Sequence, residues 1–377
     1  MERIIKAAVD RGASDLHIKA GDVFRARING QLVPLTKQAL TPEQTKAIAL
    51  RLISNEDDRS RIDRILDYDC SWGASGIGRF RVNILRQRSS FMFVMRVIPF
   101  EVPSLEKLRL PDALQGVALA DHGLVLVSGR TGSGKSSTMA ALIHHINQSV
   151  NRHIVTLESP IEFLHRDLQS SVTQREVGVD TRDFREGLRA ALRQDPDVIM
   201  IGEMRELESM DTALKAVETG HRVITSMNAP DAQSTVQRAI ALFAGAEQEQ
   251  AQLRLAEALH AVVSLRLLPR ADGQGRVAAV ELMLATPMVK ELIIDGARLG
   301  ELREQIAAGR AQWGMQTFDQ HLVDLNLTGQ ITADVAIAAA TDAAEVEGKV
   351  GGVRKRTPMS SKAVSPKGGR TPGAVKE

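Results

Sequence analysis

The sequence predicts an α/β protein in two parts, a parallel-sheet core preceded by a smaller α/β domain. Three observations carry that expectation. After about residue 113, short apolar runs alternate with helical segments, as in a parallel sheet with crossover helices. A glycine-rich phosphate-loop pattern follows directly on one of those runs. Before residue 100 the pattern differs, with an amphipathic opening helix and brief strand-like alternation. The 377 residues are 43% apolar and 25% charged, enough for a sizeable core and unlike a disordered or fibrous chain.

In chain order, Ile4, Ile5, Ala8 and Val9 share one face of the first helix, and Asn29-Gly30 reads as a hairpin turn. Thr41 with Pro42 behind it starts a helix that runs to about Leu52. Strands are expected near Gly78 to Arg86 and Phe91 to Ile98. The first domain is therefore set at 1–98. A proline-rich stretch over 99–112 has no period and reads as a linker. The core domain is set at 113–348. Its strand candidates are 124–128, 154–157, 198–201 and 222–226, and residues 261–268 and 277–284 flank an Asp272-Gly273 turn as an antiparallel extension.

The +2 net charge averages two unlike regions, 48 basic against 46 acidic residues. Eight of the basic residues and one acidic residue lie in 349–377, a segment rich in Gly, Pro and Ser that is expected to be a disordered basic tail. The body before it is mildly acidic. With aromatic residues at 3%, few rings are available for base stacking, so no nucleic-acid partner is expected. Cys70 is the single cysteine, which rules out an internal disulfide and a cysteine-based zinc site within one chain. No run reaches the roughly 18 apolar residues of a membrane span, and the start lacks a signal-peptide core. A cytoplasmic location is the expectation, with any membrane contact made through a partner.

The segment GRTGSGKS, Gly129 to Ser136, fits G-x-x-x-x-G-K-[ST] between a strand and a helix. Its glycines allow successive N–H groups to face phosphate oxygens at a helix N-terminus. Gly129, Thr131, Gly132, Ser133, Gly134, Lys135, Ser136 and Ser137 are the expected contacts to ATP, with Lys135 on the β- and γ-phosphates and the Ser136 hydroxyl on Mg²⁺. In RQDPDVIMIGEMRE, Glu203 ends an apolar run and is the candidate catalytic base; Gly202 stands where many such enzymes place a metal-binding Asp. Glu158 and Glu162, after IVTL, are carboxylates for positioning water or metal; Glu158 is favoured, and Glu162 reads equally as a solvent-facing residue. His221, between Gly220 and a strand, is a catalytic candidate weighed evenly against a structural hydrogen-bonding role.

The order and spacing of these segments resemble the secretion ATPase superfamily, specifically the type IV pilus retraction ATPases of the PilT family. GASDLHI (12–18), GRFRVN (78–83), VMRVIP (94–99), the phosphate loop, SPIEF, QREVGVDT (174–181), LRAALRQDPDVIMIGEMRE (188–206), ETGH (218–221), LRLLPR (265–270) and GMQTFDQ (314–320) carry the likeness, which covers about residues 1–345. It implies a PAS-like N-terminal domain, a RecA-like ATPase domain and a cytoplasmic homohexamer held at the inner membrane by a pilus platform protein, with a second pilus ATPase as a candidate partner. It also implies that Arg81 and Arg96 approach the nucleotide phosphates when the domains close, where a guanidinium stabilises developing charge.

Two positions depart from that family. Ser159 replaces an Asp of its acidic box, and Ser226-Met227-Asn228 replaces a Thr-Leu-His. Slower hydrolysis or dependence on a partner ATPase is the expectation. The alternatives are a poorly hydrolysing accessory subunit, a pilus-assembly or type II secretion ATPase, and a DNA-translocating RecA-like enzyme. The short N-terminus and the lack of a four-cysteine site favour retraction over the extension and secretion motors.

Overall fold

The computed structural model describes residues 1–74, 76–98 and 101–354. The chain builds two sheets. The first has six strands: β1 (Ala13–Lys19), β2 (Arg25–Ile28), β3 (Gln31–Pro34), β4 (Asp67–Ala74), β5 (Gly78–Gln87) and β6 (Ser90–Ile98), in the order β3-β2-β1-β6-β5-β4. Every pairing is antiparallel. Asn29 and Gly30 both take positive φ between β2 and β3, the two-residue turn expected there. The helix Pro42–Leu52 opens on a capping box in which Thr41 and Gln44 exchange hydrogen bonds, satisfying two donors of the first turn. Its Ala49 and Leu52, with Ile5 and Ala8 of the helix Glu2–Asp10, pack on Phe80, Val82, Phe93 and Met95. Ile4 and Val9 lie at the margin of that core.

The second sheet has β7 (Gly123–Gly129), β8 (His153–Glu158), β9 (Ser171–Glu176), β10 (Val198–Ile201), β11 (Arg222–Met227), β12 (Leu259–Pro269) and β13 (Arg276–Leu284). Their order is β13-β12-β7-β11-β10-β8-β9, parallel except for the β12–β13 hairpin. Alternate residues serve opposite layers. Leu124, Leu126, Ile199 and Ile201 face one core cluster, while Val125, Val127, Val198 and Met200 face the other. Burial on both faces is why these strands are continuous apolar runs. Because β10 and β11 lie between β7 and β8, the carboxyl ends of all four strands meet along one edge, the usual ligand edge of such a sheet.

Two expectations are corrected, and one strand is added. Residues 101–112 contain no strand or helix, yet Leu105 and Leu110 are buried in the core domain, so this stretch is packed rather than a free spacer. The tail was placed from Lys349, but the helix Ala343–Arg354 continues through that point. Val346 and Val350 bury against Phe318, Leu322 and Ile331. The rest of the expected tail, 355–377, lies outside the described residues. β9 adds an edge strand that the apolar pattern did not announce. Among the described residues no helix is long and apolar enough to cross a membrane.

Candidate nucleotide site

At the end of β7 the chain turns into the phosphate loop and then directly into the helix Lys135–Ser149. Gly129 has φ +149°, and a Cβ there would lie 2.3 Å from Ser133 Oγ and 2.7 Å from the Leu265 carbonyl. Only glycine fits. Gly132 and Gly134 also take positive φ, and Gly134 precedes the helix without a side-chain cap, leaving the first-turn N–H groups free for an anion. Lys135 Nζ donates to the carbonyls of Gly129 and Arg130 at 2.8 and 3.2 Å. Burial lowers its pKa, and the Glu203 and Glu162 carboxylates oppose that shift.

A cleft of about 900 Å³ spreads over the loop. Thr131, Gly132, Gly134, Lys135, Ser136 and Ser137 form its floor; Glu158, Ser159, Glu162, Gly202, Glu203 and Asn228 come from the ends of β8, β10 and β11; Arg96 comes from β6 of the first sheet. The sequence-derived loop contacts therefore converge, except that Gly129 and Ser133 do not face this cleft. Ser133, with Gly134, Ser137 and Thr138, lines a second cavity of about 360 Å³ that also takes Lys107, Arg109, Leu267 and Arg276. Of these, Leu267 falls within LRLLPR, whereas Lys107, Arg109 and Arg276 had no local motif to single them out.

Glu203 is partly exposed and ion-paired with Arg205 at 2.6 Å. Glu158 is different. It is buried, and its Oε1 accepts hydrogen bonds from Thr156 Oγ1 at 2.7 Å and Gln174 Nε2 at 3.0 Å. Burial raises its pKa above the usual carboxylate range, those hydrogen bonds oppose the shift, and the nearby Glu162 charge adds to it. Glu162 is the exposed carboxylate of the pair. Gly202 donates to the Leu157 carbonyl and accepts from Ser226 Oγ, so the position that carries a metal-binding Asp elsewhere is here part of the strand-end framework.

Arg81 and Arg96 are cross-strand partners on the face of the first sheet turned away from its own core. Arg96 reaches the cleft, and its Nε donates to Asp15 Oδ1 at 3.1 Å. Arg81 is exposed and does not line the cleft. The structure does not bring His221 to the site. It precedes β11 at the end opposite the loop, about one strand length or ~20 Å away, because Arg222 pairs with Gly123 whereas Met227 pairs with Ser128. Its Nδ1 lies 2.9 Å from the Ala216 carbonyl and 3.0 Å from Thr219 Oγ1, the hydrogen-bonding role weighed against catalysis.

Among the described residues no cluster of three or more His, Cys, Asp or Glu forms a preassembled metal cage. A hydroxyl from Ser136 facing open space beside Glu203 and Glu162 suits Mg²⁺, which keeps several waters and is held largely by phosphate oxygens.

Over residues 1–312 the sequence matches the family described as type II/IV secretion system protein. The chain belongs to that family. Relatives in Pseudomonas aeruginosa include the type IV pilus ATPase PilU, 40% identical over 91% of this chain and 89% of its own, and the type IV pilus retraction ATPase PilT, 38% identical over 88% and 96%. The crystal structure of the pilus retraction motor PilT with bound ADP superposes with a TM-score of 0.82, at 41% identity over 92% of this chain and 99% of that one. The Legionella pneumophila ATPase DotB gives 0.78 at 26% identity, over 89% and 93%. This secretion-family chain is thus an ATPase with a RecA-like core.

Proposed function

We propose that the chain is the motor that powers type IV pilus retraction, working as a homohexamer on the cytoplasmic side of the inner membrane through the pilus machinery. The observation that carries this is the convergence of the phosphate loop, Glu203 and the N-terminal Arg96 on one cleft, which links the ATP site to a second domain. In this reading loop N–H groups and Lys135 hold the β- and γ-phosphates, and Ser136 holds Mg²⁺, which neutralises phosphate charge when bound. Glu203 releases Arg205 and orients the attacking water. Arg96, and Arg81 beside it once the domains close, stabilise charge on the transferring phosphoryl group. The second cavity receives the base, since it adjoins the main cleft at Gly134, Ser137, Leu267 and Arg276.

The accessory-subunit reading is favoured by one feature, that Ser159 and Asn228 both line the cleft where the family pattern has an acid and a histidine. Steady-state Mg-ATP hydrolysis by the purified chain, with its mass measured in the same samples, separates the two. Turnover by a hexamer that Glu203→Gln and Lys135→Ala abolish supports the motor; tight ATP binding without turnover supports the accessory subunit. Cells lacking the gene should carry excess surface pili and lose twitching. Bald cells would mark an assembly motor instead.

A further inference from the structure

The loop that carries Ser159 and Glu162 into the cleft is held from below by two side chains of β9. Gln174 and Glu176 lie two residues apart, so they share a face, and in the parallel register they stand opposite Thr156 and Glu158. Gln174 accepts from the His165 N–H at 2.8 Å and donates to the Phe163 carbonyl at 2.9 Å. The Glu176 Oε2 atom accepts from the Ile161 N–H at 3.1 Å. Residues 161–165 are thereby fixed to β9.

That same Oε2 accepts a second bond, at 2.6 Å, from Arg79 Nη2 of the N-terminal sheet. Arg79 sits on β5 two residues before Arg81, on the face turned toward the core domain. Glu176 is 4% exposed and Arg79 23%, and the Arg79 Nε–H is buried without a hydrogen-bond partner. A pair so desolvated contributes little to stability, and removing one partner leaves the other charge exposed to the full desolvation penalty. Its worth is therefore in geometry: one carboxylate oxygen joins the N-terminal domain to the loop that carries Ser159 and Glu162 to the cleft.

We infer that Arg79 and Glu176 are a positioning pair through which the N-terminal domain sets the acidic loop for hydrolysis. When the domain sits as seen here, Arg79 holds Glu176, Glu176 holds Ile161, and the loop presents Glu162 to the cleft. When the domain swings away the carboxylate loses its cation, and the loop is then held at Ile161 by a buried carboxylate with no paired charge. Domain position is thus conveyed to catalysis by a route separate from the arginines that face phosphate. The inference rests on the reading of the cleft as the hydrolytic site.

The test uses the full-length chain, with nucleotide affinity from a fluorescent ADP titration and kcat and KM from steady-state hydrolysis. Arg79→Met should lower kcat about tenfold with KM and nucleotide affinity within about twofold, and Arg79→Lys should recover most of the loss. Glu176→Gln keeps an acceptor for Ile161 and should reproduce the fall; adding Arg79→Met to it should cost little more. Should Arg79→Met fail to fold, judged by its melting curve and hexamer mass, Glu176→Gln and Arg79→Lys carry the comparison. A kcat within twofold of wild type in folded Glu176→Gln, or strictly additive losses in the double variant, overturns the inference. Glu203→Gln, measured in parallel, tests the underlying site: if it still hydrolyses ATP, that reading falls first.

Discussion

Glu281 in β13 is buried, accepts a hydrogen bond from the Ala232 N–H at 2.8 Å, and so anchors the helix that follows the β11 loop. Burial pushes its carboxyl up to about 7, with Asp231 adding to the shift and Arg266 opposing it. The folded chain then holds a proton that the unfolded chain, with an ordinary value near 4.5, has released. This contribution to stability is full below about pH 4.5 and is lost as pH rises through about 7, on the order of 3 kcal/mol in all. Glu281→Gln should remove that decline between pH 5 and pH 8 in denaturant titrations; an unchanged slope would show the carboxyl is ionised throughout. Ser159 and Asn228 make the second prediction at this scale. Both line the cleft, so Ser159→Asp with Asn228→His should raise turnover several-fold in a steady-state assay if their chemistry limits the rate. Single residues were unevenly legible in the sequence. Glu203 and Lys135 announce themselves by motif, whereas the burial that turns Glu158 into a hydrogen-bonded anchor comes from Thr156 and Gln174, the latter sixteen residues away.

At the scale of elements, the phosphate loop depends on one backbone geometry. Gly129→Ala would place a methyl group against Ser133 Oγ and the Leu265 carbonyl at a positive φ, forcing the loop off its path. We expect nucleotide affinity to fall at least about 100-fold in a fluorescent-nucleotide titration, since the N–H groups no longer converge. Affinity near wild type would mean the loop absorbs the shift. The central strands were readable because both faces are buried, which gives runs such as VIMI and LVLVS. β9 was not, since SVTQRE is polar, lies at the sheet edge and is only partly covered. The helix Pro42–Leu52 was readable from its cap, which is local chemistry. The last helix was not separable from the tail because its glycines and charges mask a short apolar stripe, Val346 and Val350, that only tertiary packing reveals.

At the scale of the whole molecule, the two N-terminal arginines are in different situations. Arg96 already lines the cleft, and Arg81 stands beside it on the same face but exposed. An arginine that meets phosphate only on closure should matter for turnover more than for binding. Arg81→Ala should therefore lower kcat about tenfold or more, with nucleotide affinity unchanged by titration; equal losses in both would place Arg81 in the ground-state contacts. His221 shows the limit of motif position as a guide to place. Its sequence neighbourhood is shared with residues at the far end of β11, and six residues of extended chain carry one end of a motif away from the site.

Among the described residues the hydrophobic clusters of the two halves share no side chain: the first draws on residues up to Val97, and the others begin at Leu105. Each half can therefore accumulate substitutions without a compensating change in the other's interior. What must be inherited together are the polar contacts that cross between them, among which is the Arg79–Glu176 pair. A hybrid that joined this N-terminal half to a relative's ATPase domain would stand or fall on those contacts.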